Sequence, residues 1–331
     1  MKKISKMLPA ALCICMFAAF ALGSGSDSSS TAQKVGEVDT TATSTSSTTD
    51  KADEAEAAPV KEDNIKENYY VGDTFSKDGL SITYVSSSNF ETDNEFLKPA
   101  DGKKIIRVVL HVDNQSGSDK SVSSFDFKCY ADGYDADAFY GGDDDLSASL
   151  SNGRTADGSI YYEVPVDAKE VELEYEYDWL NSKKVKFIFE GDKDSGATFE
   201  KNTEASADAF HVGDIVETSK LRIQYLKAAE YKSDNMFLEP KEGNKYVYIE
   251  LEVENLSDTD QLFSYFSFNC FADGVSCDGF YGMDDAISAN LSSGRKAKGT
   301  VAFEVPKDAQ SIEFEFEDNF WTESKVIFLY E

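Results

Sequence analysis

The feature that most restricts this chain is an internal repeat. Val71-Gly72-Asp73 recurs as Val212-Gly213-Asp214, an offset of 212 − 71 = 141, and the offset holds to the C-terminus. Asp93-Asn94 falls on Asp234-Asn235 and Phe96-Leu97 on Phe237-Leu238. Ala131-Asp132-Gly133 falls on Ala272-Asp273-Gly274, and Glu163-Val164-Pro165 on Glu304-Val305-Pro306. A gapless register of that length means two copies of one domain, placed at 67–190 and 210–331. A linker at 191–209, rich in Asp, Ser, Thr and Ala, joins them. The 331 residues suit two domains, each closing its own core.

The hydrophobic period inside each copy is two. Val171-Glu-Leu-Glu-Tyr-Glu-Tyr177 alternates, as does its twin Ile312-Glu-Phe-Glu-Phe-Glu317. In Lys245–Val253 the residues Val247, Ile249, Leu251 and Val253 alternate with Tyr and Glu, and the twin Lys104–Val112 is dominated by β-branched residues. Phe125, Phe127 and Cys129, with twins Phe266, Phe268 and Cys270, read as one face of a further strand. Such alternation describes a sheet packed on one side with an acidic, solvated outer face. Seven or eight short strands per copy, punctuated by Asn, Asp, Gly and Pro and without helical periodicity, predict an all-β chain of two tandem immunoglobulin-like antiparallel β-sandwiches. The buried Trp and paired Cys of an antibody domain are missing, so "immunoglobulin-like" here describes architecture.

Several of the duplicated residues form a pattern. Each copy opens on Val-Gly-Asp and carries an Asn after the long central strand (Asn114, Asn255). An Asp-Gly turn follows, then Ser-x-Gly-Arg ending at Arg154 and Arg295, then Gly-x-x-x-x-Glu-Val-Pro and an acidic closing hairpin. The pattern resembles the immunoglobulin-like domain of unknown function found in exported lipoproteins of Gram-positive bacteria, and it covers both copies. The resemblance implies an extracytoplasmic β-sandwich and supplies no catalytic residues.

The N-terminus reads as an export signal over 1–23. Lys2, Lys3 and Lys6 precede an uncharged apolar run from Met7 to Leu22, and Ala19-Phe20-Ala21 fits a cleavage site. The run is shorter than a spanning helix needs. Ser24 stands where a lipidated Cys would follow, and Cys13 and Cys15 lie inside the apolar run. A retained anchor is the competing reading and would be the chain's one link to a membrane. Residues 24–66 are Ser, Thr, Ala and acidic residues, too polar to order themselves, and read as a disordered spacer. The expected location is outside the cell or on its surface.

Charge then narrows the partners. Lys plus Arg number 32 and Asp plus Glu 62, a net −30 that becomes −30 − 3 = −33 once the signal leaves. Nucleic acid and anionic membrane surfaces both need a basic footprint. An extracellular protein or a cell-wall component remains as partner. The two histidines, His111 and His211, align with Glu252 and Tyr70 and so are not kept twice. No nucleophile has a visible base and no phosphate loop exists. The chain is expected not to be an enzyme, and a two-carboxylate hydrolase of surface polymers is the remote alternative.

The densest duplicated block, Ala131–Arg154 with Ala272–Arg295, supplies the candidate residues. Asp132, Asp137, Asp143 and Asp144, with twins Asp273, Asp278, Asp284 and Asp285, could share a hard cation such as Ca²⁺ through oxygen ligands. The spacing lacks the Gly and Glu of an EF-hand loop. The competing reading makes Asp132-Gly133 and Asp273-Gly274 type I′ turns, Gly153 and Gly294 left-handed turn positions, and the rest solvation. No cofactor is expected, with Ca²⁺ the alternative. Phe139-Tyr140 and Phe280-Tyr281 sit among acidic residues, as exposed binding anchors or as a lid on the core. Arg154 and Arg295 would contact an anion or pair with nearby aspartates. Trp179 and Trp321 differ by one position between copies, which suggests one buried ring near there. An Asp273-Gly274 hairpin places Cys270 across from Cys277, so a disulfide and two thiols are both open.

Overall fold

The computed structural model describes residues 33–36 and 65–331, apart from Asp93, Asp234, Met236, Phe237 and 320–323. The expected signal peptide and Trp321 lie outside the described residues. Within them no helix is long and apolar enough to cross a membrane.

Alternation produces the fold. In copy one the strands Leu80–Phe90, Lys103–Asn114 and Arg154–Pro165 form one sheet, and Phe127–Ala131, Val171–Asp178 and Lys183–Ile188 a second. The long hairpin pairs antiparallel from Asn114↔Arg154 to Lys103↔Pro165. Copy two repeats it from Asn244↔Pro306 to Glu254↔Lys296. Bulges recur too, between Tyr84 and Ser86 and between Tyr225 and Lys227. Inward residues of the two sheets meet as separate cores. Tyr84, Leu110, Leu173 and Phe187 are among those of copy one, and Tyr225, Leu251, Phe314 and Phe328 of copy two. Each such Leu or Phe side chain contributes about 1.5–3 kcal/mol by leaving water.

The Asp-Gly turns are hairpin turns as expected, with φ of 50° and 82° at Asp132-Gly133 and 52° and 81° at Asp273-Gly274. The Asp132 carboxylate accepts from the amides of Lys169 (3.1 Å) and Glu170 (3.0 Å). Asp273 accepts likewise from Gln310 (2.8 Å) and Ser311 (2.9 Å). Short ribbons add to the expected strands, among them Lys120–Ser123 with Ser147–Leu150. The spacer also departs from expectation at one place, where Gln33–Gly36 pairs along Ile215–Glu217 at the sheet edge of copy two. The rest of 24–64 lies outside the described residues.

The copies share a sheet. Thr155, at the start of a copy-one strand, pairs parallel with Val275 of copy two, and the Thr155 amide donates to the Gly274 carbonyl at 3.1 Å. Arg154 beside it is only 7% exposed, and Glu313 and Glu315 of copy two are 1% and 3% exposed. The acidic face expected to be solvated is therefore covered in copy two. Arg154 donates through Nε to Glu315 at 2.9 Å and through Nη2 to Glu315 at 2.6 Å and to Glu313. Its guanidinium lies 4.7 Å from the Phe271 ring centroid. Phe271 itself belongs to the core of copy one. Burial disfavours the Arg154 charge, but the carboxylates of Glu315 and Glu313 outweigh it and raise its pKa. Lys325 of copy two pairs with Asp119 of copy one at 2.6 Å. The linker is packed into the joint. Lys193–Asp194 adds to the sheet of copy one, Phe199 stacks on His111 at 3.6 Å, and the Ser206 amide donates to Glu313 at 2.5 Å.

Candidate functional site

Each copy carries an exposed aromatic corner. The Phe-Tyr pairs split, because neighbouring residues in an extended segment point to opposite sides. Phe139 folds inward against Phe90 and Tyr161, and Phe280 stacks on Tyr246 at 3.9 Å between ring centroids. Tyr140 and Tyr281 point out, 65% and 63% exposed. The phenylalanines fold back outside the main cores, Phe280 in a small cluster with Tyr246 and Ala302, and the tyrosines face outward.

The tyrosines do not stand alone. Phe125 and Phe266 are 78% and 73% exposed, with ring centroids 5.9 Å from Tyr140 and 5.7 Å from Tyr281. Both were expected on a strand face. Ser124–Asp126 and Tyr265–Ser267 are instead short 3₁₀ turns that rotate them outward. In copy one the turn is fixed by a capping box between Ser123 and Asp126. The Ser-x-x-Asp signal for that turn was present in the sequence.

The surroundings of the two corners differ. Phe125 and Tyr140 border a groove of about 240 Å³. On its other side Phe125 shares a hollow of about 300 Å³ with Trp179, Glu174 and Glu176. Trp179 is exposed, against the expectation of a buried ring. Phe266, Tyr281 and Tyr265 instead line a cleft of about 480 Å³ between the copies. Its opposite wall is the serine ribbon of copy one, with Ser121, Ser123, Ser147 and Ser149. Rings on one wall and hydroxyls on the other offer apolar contact together with uncharged hydrogen bonding.

The aspartates disperse. Asp132 and Asp273 are committed to their turns. Asp137 pairs with Lys103 at 2.8 Å and Asp278 with Lys241 at 2.7 Å. Asp144 accepts from Ser159 (2.8 Å), Tyr161 and Arg107. Burial pushes the Asp144 carboxyl up, but Tyr161, Ser159 and Arg107 outweigh it and hold it below the usual range. Asp285 accepts from Thr300 at 2.8 Å, in the place of Ser159. Asp143 and Asp284 are exposed. No group of three or more His, Cys, Asp or Glu able to hold a metal occurs among the described residues.

Three further expectations resolve. Arg154 is not a surface anion contact and does not pair with nearby aspartates, because the glutamates of copy two take it. Arg295 stays exposed, with no ion-pair partner among the described residues. Cys277 does lie across from Cys270, its amide donating to the Cys270 carbonyl at 2.9 Å, and both are thiols.

The domain of unknown function DUF4352 matches twice, at 69–185 and 210–326. No curated protein matches. Among solved structures, a candidate lipoprotein of Bacillus subtilis is similar at 13% identity and a TM-score of 0.30, over 55% of this chain and 72% of its own. An uncharacterized β-sandwich protein of Clostridium difficile is similar at 18% identity and a TM-score of 0.26, over 40% of this chain and all of its own. Likenesses this distant bear on neither function nor site.

Proposed function

The chain belongs to the DUF4352 family through both of its sandwiches, and from that premise we propose that it is a non-catalytic binding module outside the membrane. The export signal read in the sequence supports the location. One observation carries the binding reading: both copies turn a Phe and a Tyr outward at the same corner, on a chain whose other large rings mostly fill cores. Exposed rings bury much area on binding at low entropic cost. The joint at Arg154 holds the two corners in one body, so weak contacts at both reinforce each other.

The partner is an extracellular protein or a wall polymer that is not strongly anionic, because a net charge of −30 repels anions. The cleft between the copies fits an extended, hydroxyl- or amide-rich segment. Rings would pack on its apolar faces, and the serine ribbon would hydrogen-bond along it. The test is binding of the Tyr140→Ala plus Tyr281→Ala chain to whole cells and isolated wall material. Binding should fall while the melting temperature stays put. A matching loss of stability would show that the tyrosines serve the fold instead.

A further inference from the structure

The joint between the two copies is heterologous: one surface of copy one meets a different surface of copy two. A tandem pair uses each surface once. It leaves the twin of each exposed at the far ends, and the residues that make the joint are present there a second time.

Arg295 is the twin of Arg154 and is exposed. Glu172 and Glu174 are the twins of Glu313 and Glu315, and they remain at the surface of copy one, held by Lys186 at 3.0 Å and Lys184 at 2.7 Å. Lys184 is the twin of Lys325, and exposed Asp260 is the twin of the Asp119 that Lys325 grips. Tyr130 takes the place of Phe271, whose ring lies against the Arg154 guanidinium. The Asp132-Gly133 hairpin, twin of the tip that reaches Thr155, is exposed, and nothing lies within 4 Å of a Cβ placed on Gly133.

We propose that these two faces join a second copy of this chain head to tail, with Arg295 of one molecule seated between Glu172 and Glu174 of the next. Charge is complementary across the contact: Arg295 meets Glu172 and Glu174, Asp260 meets Lys184, and Lys186 balances a carboxylate on its own face. A heterologous contact repeated by one operation extends into a filament unless the rotation closes it into a ring. The new joint is weaker than the internal one. It lacks the covalent linker, and Glu252 replaces the His111 on which Phe199 stacks. Association therefore needs a high local concentration, such as chains crowded on a surface, where a row of molecules would multiply the aromatic corners.

Sedimentation velocity on the chain from Ser24 onward tests this across a wide concentration range. The average mass should climb past the dimer with concentration and fall back as salt screens the charges. An Arg295→Glu chain and a Glu172→Lys plus Glu174→Lys chain, each blocked at one end, should each stay monomeric. Mixed together, they should associate past the dimer again, because one joint keeps its native charges and the other has both sides reversed. A wild-type chain that remains monomeric throughout overturns the proposal. So does association that survives Arg295→Glu.

Discussion

Replacing Arg154 with Ala should uncouple the two sandwiches, and replacing its twin should not. Arg154 makes three charge-assisted contacts to two nearly inaccessible carboxylates and covers Phe271. Its removal leaves Glu313 with the Ser206 amide, and Glu315 with Ser151 and with Lys325 at 3.7 Å. Breaking a buried pair by deleting one member costs about 3–5 kcal/mol, because the surviving charge stays buried. Those remaining partners place the cost near the lower end, at about 3 kcal/mol, which multiplies the uncoupled population roughly a hundredfold. In dilute solution a calorimetric scan of the wild-type chain should show one cooperative transition. The Arg154→Ala scan should split in two, with the less stable copy melting early. Arg295→Ala touches an exposed side chain and should stay within about 0.5 kcal/mol of wild type. An unchanged Arg154→Ala profile, or equal damage from both substitutions, would refute the reasoning.

Other consequences follow from individual residues. Asn255 is fully buried, donates to the Thr259 and Leu291 carbonyls at 2.7 Å each and accepts from the Ser257 amide at 2.9 Å, so Asn255→Ala strands several polar groups. It should cost about 3 kcal/mol in chemical denaturation, and a loss under about 1 kcal/mol would contradict that structural role. The Asp144 carboxyl is held below its ordinary value, so its contribution is complete above the unfolded value of about 3.9 and is lost as pH falls through the folded one. Asp144→Asn should therefore flatten the acid limb of the stability curve. Burial pushes the Cys129 thiol up to about 12 and the Cys270 thiol well up, so alkylation of the folded chain near neutral pH should label Cys277 and reach the other two only after unfolding.

Much of the fold was legible because a period of two and an Asp-Gly turn are local signals. The register across Asp273-Gly274, which sets Cys270 against Cys277, could be counted from the turn alone. The acidic face was harder to judge, because Glu172 and Glu313 look alike in sequence. Only the order of the copies decides which of them is covered, and Arg154 finds its partners about 160 residues away. Phe125 was misplaced because Phe-x-Phe-x-Cys continues the strand alternation through a turn. Ser123 and Asp126, three apart, marked that turn. The outward tyrosines were legible as candidates. Their pairing with Phe125 and Phe266 was not, since it joins segments brought together only by the sandwich.

The most direct test is a set of binding isotherms on isolated wall material for four chains: wild type, Phe125→Ser plus Tyr140→Ser, Phe266→Ser plus Tyr281→Ser, and all four substitutions together. Two corners on one rigid body should give each half-variant a much weaker isotherm than wild type, and the fourfold variant none. Four superimposable isotherms would contradict the claim that this chain binds through its aromatic corners.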